Sequence, residues 1–379
     1  MKVNNRIHLC LAHMSPEGIE QRYIQEAFDT NWVAPLGPNV DAFEKELEGY
    51  LGYDRHIAAL SSCTAAIHVA LMLLDVKQGD EVICQSFSFC ASSNPVTYCG
   101  AKPVFVDSEE MTWNMSPKLL EEAIKDRIEK TGRKPKAIIV VDLYGMPANW
   151  EAIEKIAHSY EIPVIEDAAN ALGSFYKNKP CGTFGDIATL SFNGNKMITT
   201  SGGGAIVCKD LETKKRAIFL ATQAKGPYLH YEHDTIGFNY RMSNICAGIG
   251  RGQMTVLEDH ILHHKHVRAQ YLNLFNNLDG VEVHGNPNGD FDSNFWLTTI
   301  IFNKKLDVEA LCKALDQEGI EARPVWKPMH KQPVYKNAPA YVNGVSEALF
   351  KVGMCLPSGP CVTDEDVQFI VDSIKSSII

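Results

Sequence analysis

Residues 137–167 read AIIVVDLYGMPANWEAIEKIAHSYEIPVIED, and they carry the clearest fold signal in the chain. Two short, almost wholly apolar runs, 137–141 and 163–165, have the composition of strands buried on both faces of a sheet. Between them, residues 150–160 place apolar side chains at helical spacing. A strand, a helix and a second buried strand in this order predict two parallel strands joined by a helix.

The same alternation continues on both sides of this stretch. Further apolar runs bounded by turn residues lie at 81–84, 103–106, 187–192 and 205–208. Helical spacing of apolar residues recurs at 16–29, 40–51, 62–74 and 117–130. The sequence therefore predicts an α/β protein with a mostly parallel central sheet flanked by helices.

The pattern changes near residue 250, where a long polar helix is followed by a second α/β stretch. This change predicts a large domain over residues 1–250 and a smaller C-terminal α/β domain over residues 251–379.

The long polar helix contains His260, His263, His264 and His266. His260 and His264 lie four residues apart, as metal-binding pairs on a helix do, but no third ligand is near them in the sequence. The preferred interpretation is a solvated helix face and no metal site.

Composition narrows the class of protein. The chain has 379 residues, a formal net charge of −10 at pH 7, 45% hydrophobic and 22% charged residues. These proportions are typical of a globular enzyme, and the negative charge argues against a nucleic-acid partner. The 11 cysteines form no C-x-x-C pair, residues 1–14 lack a signal sequence, and no apolar run reaches the ~18 residues of a membrane helix. We therefore expect a cytoplasmic protein in a reducing compartment, with no membrane partner.

Ligands of such sheets bind beyond the carboxyl ends of the strands, and Asp167 lies at one of these ends. In one interpretation Asp167 caps a helix that follows it. In the other it faces the crevice, where a buried carboxylate needs a cationic partner. A protonated pyridine nitrogen is such a partner, and pyridoxal 5′-phosphate (PLP) requires an acid that keeps this nitrogen protonated.

Lys196 lies in the segment Ser191-Phe-Asn-Gly-Asn-Lys196-Met-Ile-Thr-Thr-Ser-Gly-Gly-Gly204. A single lysine is most often a solvated surface residue. Here it follows an apolar run and a glycine turn, and it precedes three glycines that allow close backbone approach. Lysine forms Schiff bases when burial lowers its pKa. Lys196 is 29 residues beyond Asp167, which leaves room for one further strand, so both side chains can reach one crevice.

Small hydroxyl residues open the helix predicted at 62–74, in the sequence Ser61-Ser-Cys-Thr64. Helix N-termini suit a phosphate, although a simple N-cap has the same sequence. Ser191 could add a hydroxyl to this phosphate site, and Phe89 could either stack on a flat ring or lie in the core. No G-x-G-x-x-G sequence follows the early strands, so a dinucleotide-binding fold is not indicated.

Taken together, these motifs resemble one family. They are Ser62-Cys-Thr-Ala-Ala66, Glu166-Asp-Ala-Ala169, Ser191-Phe-(x)₃-Lys196, Gly202-Gly-Gly204 and Asn239-Tyr-Arg-Met-Ser-Asn244. In this order they resemble the DegT/DnrJ/EryC1/StrS aminotransferases, which are PLP enzymes of fold type I (the aspartate aminotransferase superfamily) that act on nucleotide-linked keto-sugars. The resemblance runs from Asn31 to Gly359. It is strongest to the subgroup that includes aminotransferases of exopolysaccharide operons and of UDP-bacillosamine synthesis.

The resemblance implies roles at the cofactor ring. Lys196 would hold PLP as a Schiff base and then move a proton between the cofactor and the sugar carbon. Asp167 would pair with the pyridine nitrogen, and Phe89 would stack on the ring.

It also implies a phosphate site and a substrate segment. Thr64, the backbone at Cys63, and Ser191 would hold the phosphate, and Asn239 of the partner subunit would complete the site, which implies a homodimer with shared active sites. Arg323, Trp326 and His330, in a C-terminal segment, would approach the substrate. A packed aromatic residue and a structural salt bridge would have the same sequence.

Three positions depart from the family pattern. Cys63 stands where the family usually has Gly, Asn170 where His, Gln or Glu is usual, and Lys225 where the subgroup usually has Arg. Asn170 is expected at the cofactor, where its shorter amide either reaches the cofactor hydroxyl or leaves room for water. Lys225 lacks the bidentate fork of arginine. These departures bear on substrate preference rather than on the reaction.

The implied reaction transfers an amino group from L-glutamate to a nucleotide-linked 4-keto-6-deoxy sugar, with UDP-4-keto-6-deoxy-N-acetylhexosamine as the preferred acceptor, for surface polysaccharide or glycan biosynthesis. One alternative is a sugar dehydratase of the same fold that uses PLP or pyridoxamine phosphate; such relatives typically have His in place of Lys196. The other is a non-catalytic, ligand-binding regulator, which would be expected to lose Asp167 or Lys196.

Overall fold

The computed structural model describes residues 6–52, 54–276, 278–303 and 306–378. Its helices are α1 (Ile19–Asp29), α2 (Pro38–Leu51), α3 (Cys63–Leu73), α4 (Asn94–Tyr98), α5 (Pro117–Thr131), α6 (Trp150–Ser159), α7 (Leu211–Ala221), α8 (Asn244–Met254), α9 (Leu257–Phe275), α10 (Val308–Gln317), α11 (Val345–Val352) and α12 (Asp364–Ile378). Its strands are β1 (His56–Leu60), β2 (Glu81–Gln85), β3 (Lys102–Val106), β4 (Ala137–Val141), β5 (Val164–Asp167), β6 (Phe175–Tyr176), β7 (Lys179–Pro180), β8 (Ile187–Ser191), β9 (Gly204–Cys208), β10 (Val281–Val283), β11 (Phe291–Asp292), β12 (Thr298–Phe302), β13 (Arg323–Pro324), β14 (Ala340–Tyr341) and β15 (Gly353–Leu356).

The central sheet has eight strands in the order β1-β9-β8-β5-β4-β2-β3-β14. Strands β8, β5, β4, β2, β3 and β14 run parallel, and β9 runs antiparallel to both β8 and β1. The prediction of an α/β fold with a mostly parallel central sheet is therefore confirmed. Strand β1, which lies directly before α3, was not predicted from the sequence.

Strand β4 shows why the sheet is buried on both faces. Ile138 and Val140 belong to one hydrophobic core, and Ala137 and Ile139 belong to the other. Successive side chains of a strand point to opposite faces, so a wholly apolar strand supplies two cores at once. Helix α3 is nearly all buried, and Ser62 caps it by accepting a hydrogen bond at Oγ from the Ala65 N–H, 3.0 Å away.

The chain turns directly after β5, and the next regular element is β6. The interpretation of Asp167 as the cap of a following helix is therefore wrong. Its Oδ1 instead accepts from the Ala169 N–H within the turn, at 3.1 Å.

A second, antiparallel sheet has the order β10-β12-β15-β13, and β11, β6 and β7 form a small third sheet. A separate hydrophobic core lies on the second sheet, with side chains from α9, α10 and α12. The C-terminal part of the chain also returns to the central sheet, because β14 pairs with β3. No helix in the described ranges is long and apolar enough to cross a membrane.

The prediction of a solvated histidine face on α9 is wrong for two of the four histidines. His260 and His264 are buried, and His260 Nδ1 lies 3.0 Å from the Met197 carbonyl oxygen. His263 is half-buried, and His266 is exposed and pairs with Asp364, as the prediction requires. The buried positions of α9 recur every three or four residues, and they include histidines because the helix packs between both parts of the chain.

Candidate active site

A cavity of about 650 Å³ lies at the carboxyl ends of β5 and β8, beside the N-terminus of α3. The structure brings nine of the predicted site residues to its wall: Cys63, Thr64, Phe89, Asp167, Asn170, Ser191, Lys196, Arg323 and Trp326. Parallel strands end at the same edge of a sheet, so residues that are far apart in sequence meet there.

The amine of Lys196 lies inside this cavity. Its Nζ donates to Asn170 Oδ1 at 2.5 Å and lies 4.1 Å from the ring centre of Trp296. Burial lowers the pKa of Lys196 to about 8, although the negative charge of Asp167 opposes this shift. The amine is therefore available in its neutral, nucleophilic form close to neutral pH.

Asp167 is a buried carboxylate that has no ion pair with any cation of the described residues. Its Oδ2 accepts from Ser92 Oγ at 2.6 Å, and its Oδ1 accepts from the Ala169 N–H. Burial raises the pKa of Asp167, and these hydrogen bonds together with the charge of Lys196 counter the rise. A buried carboxylate on a cavity wall without a cation fits a ligand that brings a positive charge, such as a protonated pyridine nitrogen.

The N-terminus of α3 offers a site for a phosphate. Cys63 and Thr64 form its first turn, whose N–H groups have no partner within the helix. Gly204 passes so close that a Cβ at this position would lie 2.3 Å from Cys63 N. Ser191 pairs with Gly204 across β8 and β9, which brings its hydroxyl to the same region. Of the three adjacent glycines, Gly204 is required because its backbone lies too close to Cys63 for a side chain.

Phe89 is not a core residue. Its ring is 55% exposed, lines the cavity, and lies 5.7 Å from the ring of Trp326, centre to centre. The ring is therefore open to stacking on a flat ligand.

The three departures from the family pattern have distinct surroundings. Cys63 Sγ lies 3.9 Å from Asp167 Oδ1, so this side chain is directed to the carboxylate. Asn170 reaches the amine of Lys196 rather than leaving a gap. Lys225 is exposed, with Nζ 4.3 Å from the ring centre of Tyr231, and it does not line the cavity.

Two predicted site residues do not line the cavity of their own chain. Asn239 pairs through its backbone with Thr222. His330 packs with Nδ1 2.6 Å from Ser86 Oγ and Nε2 3.2 Å from a Glu347 oxygen. Arg323 does line the cavity, but its guanidinium also forms a salt bridge with Glu321 at 3.0 Å.

Sequence reasoning missed Ser92 and Trp296, which both line the cavity. Ser92 could have been found, because it belongs to a hydroxyl-rich run directly after β2. Trp296 had no local signal, because it comes from a segment 100 residues beyond Lys196 and reaches the site only through the fold.

A model of the DegT/DnrJ/EryC1/StrS aminotransferase family matches residues 16–375. The chain belongs to this family. It is 46% identical to a putative pyridoxal phosphate-dependent aminotransferase, EpsN, of Bacillus subtilis, over 98% of this chain and 95% of the relative. It is 38% identical to a GDP-perosamine synthase of Escherichia coli O157:H7, over 94% of this chain and 95% of the relative. A DegT/DnrJ/EryC1/StrS aminotransferase from Brucella abortus has a similar crystal structure, with a TM-score of 0.88, 30% identity and coverage of 95% of both chains.

The resemblance drawn from the motifs is therefore confirmed, and this DegT/DnrJ/EryC1/StrS protein is a PLP-dependent aminotransferase. The cavity fits that cofactor. It combines an amine of lowered pKa, a buried carboxylate that pairs with no cation of the described residues, and a helix N-terminus that Gly204 approaches closely.

Proposed function

We propose that this enzyme transfers an amino group from L-glutamate to the keto carbon of UDP-4-keto-6-deoxy-N-acetylhexosamine. The product would be the 4-amino sugar, for use in surface polysaccharide or glycan biosynthesis. The reaction type is supported by the presence of Lys196 and Asp167 in one cavity. Lys196 is an amine of lowered pKa, and Asp167 is a buried carboxylate that forms no ion pair within the described part of the chain.

Each side chain has a task in this proposal. Bound PLP supplies the electron sink of the reaction. Lys196 Nζ would hold the cofactor and would move a proton between the donor carbon and the cofactor, and in the second half-reaction between the cofactor and the sugar carbon. Asn170 positions this amine. Asp167 keeps a proton on the ring nitrogen, helped by the hydrogen bond from Ser92. Trp296 and Phe89 cover the reacting region with aromatic surface and exclude water.

The nucleotide-sugar acceptor is supported by the relatives and by the cavity mouth. Arg323 is 64% exposed there and suits a diphosphate, and Trp326 offers an aromatic face. A GDP-linked keto-sugar is the second candidate, because one relative is a GDP-perosamine synthase. The dehydratase and regulator alternatives are disfavoured by the presence of both Lys196 and Asp167.

A homodimer with shared active sites is part of the proposal. Four large apolar side chains are exposed on the segment that leads to Asn239, as expected of a surface that a second subunit covers: Tyr228, Leu229, Tyr231 and Ile236. Asn239 of the partner subunit would then complete the phosphate site. We further propose that residues 1–250 and 251–379 are the two domains, since the second sheet has its own core, and that the enzyme acts in the cytoplasm.

The test is to incubate the pure enzyme with PLP, L-glutamate and UDP-4-keto-6-deoxy-N-acetylglucosamine and to follow the sugar by mass spectrometry. The expected product replaces the keto oxygen by an amine. A different result would be one molecule of 2-oxoglutarate per enzyme and no amino sugar. It would show that the enzyme accepts the amino group from glutamate but does not use this acceptor, and GDP- or dTDP-linked keto-sugars would then be tested. A Lys196→Ala protein that transaminates at the wild-type rate would contradict the proposed role of the amine.

Shared sites can be tested with mixed dimers. Lys196→Ala and Asn239→Ala chains are each expected to have little activity alone. A mixed dimer would contain one site with both native residues, so co-refolding the two variants should restore activity. Activity that never exceeds that of the separate variants would exclude a shared site.

A further inference from the structure

A second cavity, of about 660 Å³, shares no lining residue with the cavity that contains Lys196. Residues 110–113 form one side of it, and α9, the segment 282–287, β12 and α11 form the other. It therefore lies between the central sheet and the second sheet, away from the residues assigned to amino transfer.

The side chain that sets the chemistry of this second cavity is Arg268. Its Nε and Nη2 donate to the His284 carbonyl oxygen at 3.3 and 3.2 Å, and its guanidinium lies 4.8 Å from the ring centre of Phe295. These contacts use two of the five N–H groups of the guanidinium. No carboxylate of the described residues forms an ion pair with it, and burial lowers the pKa of Arg268.

This lack of a carboxylate is unusual within the molecule. Every other partly buried arginine of the described ranges pairs with an acidic side chain: Arg6 with Asp316, Arg55 with Asp54, Arg127 with Glu81, Arg241 with Glu44 and Arg251 with Glu46. A cation that is partly removed from water is costly when nothing compensates its charge. The missing counter-charge at Arg268 is thus available to a ligand.

Half-buried apolar side chains of α11, Val345 and Leu349, line the same cavity as Arg268 and offer surface to an apolar ligand. Trp113 and His284 stack with ring centres 3.9 Å apart and an interplanar angle of 15°. Trp113 holds a left-handed backbone with φ 65°, a conformation that often marks a functional loop. Gly285 leaves space for the guanidinium, because a Cβ there would lie 2.2 Å from Arg268 Nη2.

The rim of the second cavity limits the charge of the ligand. Glu110 and Glu282 both line it and both are exposed. Two carboxylates at the mouth repel each negative charge of an entering ligand, so a phosphate dianion is disfavoured relative to a single carboxylate. A carboxylate also matches the planar fork of the guanidinium.

We propose that the second cavity is a binding site for a small monocarboxylate with a flat apolar body, held by Arg268 and packed against Val345 and Leu349 of α11. The site is independent of the proposed amino-transfer reaction. The neutral ring of His284, whose buried Nε2 has no partner among the described residues, offers one further polar contact.

The experiment is isothermal titration calorimetry of the holoenzyme with benzoate, with its neutral isostere benzamide, and with inorganic phosphate. We expect saturable benzoate binding, with benzamide and phosphate each weaker by about tenfold or more. Arg268→Met should abolish benzoate binding. The matched control is Arg216→Met, which removes an exposed arginine that also lies over a phenylalanine ring and should leave binding unchanged.

A second variant keeps the proposal testable if Arg268→Met does not fold. The double variant Glu110→Gln, Glu282→Gln removes rim repulsion, so it should bind benzoate several-fold more tightly and reduce the discrimination against phosphate. Three results would each overturn the proposal. They are benzamide binding as tightly as benzoate, phosphate binding more tightly than benzoate to the wild-type protein, and a benzoate isotherm that Arg268→Met leaves unchanged.

Discussion

Ser92 donates a hydrogen bond from its Oγ to Asp167 Oδ2 at 2.6 Å, and its Oγ also lies 2.8 Å from Ser88 Oγ. All three side chains are buried. Ser92 therefore positions the Asp167 carboxylate, which is expected to face the cofactor, although the family motifs do not include this serine.

Ser92→Ala should weaken PLP binding. A hydrogen bond to a charged group contributes about 1.5–3 kcal/mol, so the apoenzyme should bind PLP about tenfold or more less tightly as Asp167 becomes harder to ionise. The measurement is the equilibrium dissociation constant for PLP, followed by fluorescence. Ser88→Ala is the matched control, because it removes a hydroxyl one step further from the carboxylate and should have a smaller effect. Equal affinities for the Ser92→Ala and wild-type proteins would show that this bond does not position Asp167.

The rate of PLP uptake by the apoenzyme should rise with pH and be half-maximal near the Lys196 pKa of about 8, because only the neutral amine attacks the cofactor. Asp167→Asn should move this midpoint to lower pH, since the negative charge of Asp167 favours the protonated amine. Stopped-flow absorbance of the bound cofactor measures the midpoint. Asp41→Asn, an exposed position on α2, is the control. A midpoint close to 10.5 would mean that burial does not shift this amine.

Gly204→Ala should destabilise the enzyme by about 1–3 kcal/mol, because the added Cβ would lie 2.3 Å from Cys63 N and would push β9 away from the start of α3. Affinity for PLP should fall with it, since the same helix N-terminus is the expected phosphate site. Gly202→Ala is the matched control: a Cβ there meets nothing within 4 Å, so its effect should stay within about 0.5 kcal/mol. Urea unfolding and PLP titration of both variants provide the measurements. Similar losses of stability in Gly204→Ala and Gly202→Ala would contradict the proposed close packing at Gly204.

His264 should make the fold sensitive to acid. Burial lowers its pKa from 6.5 to about 3, so below pH 6.5 the unfolded chain takes up a proton that the folded chain does not. The free energy of unfolding should therefore fall with decreasing pH, by up to about 1.4 kcal/mol per pH unit from this residue alone. His264→Leu should flatten the decline between pH 6.5 and 5, while His266→Leu, at an exposed position, should not. Urea midpoints across this pH range provide the measurement, and parallel curves for His264→Leu and wild type would refute the assignment.

Local sequence patterns were sufficient to predict the class of the central sheet and most of its strands and helices. The runs at 137–141 and 187–192 correspond to β4 and β8, and the helix that opens at 62–64 corresponds to α3. These features are local: the spacing of apolar residues reports which faces are buried, and a hydroxyl residue before a helix satisfies its first N–H groups. The family motifs were also readable, because they lie in short, continuous segments.

Features that depend on contacts between distant segments became visible only in the folded chain. The fold buried His264 on a helix that looked polar, directed Cys63 to Asp167, and brought Trp296 to Lys196. Among the described residues, Arg268 has no carboxylate partner, whereas the other partly buried arginines are paired. Local patterns cannot reveal these outcomes, because the burial and the partners of a polar side chain are set by which elements pack against it, and those elements come from positions far away in the sequence.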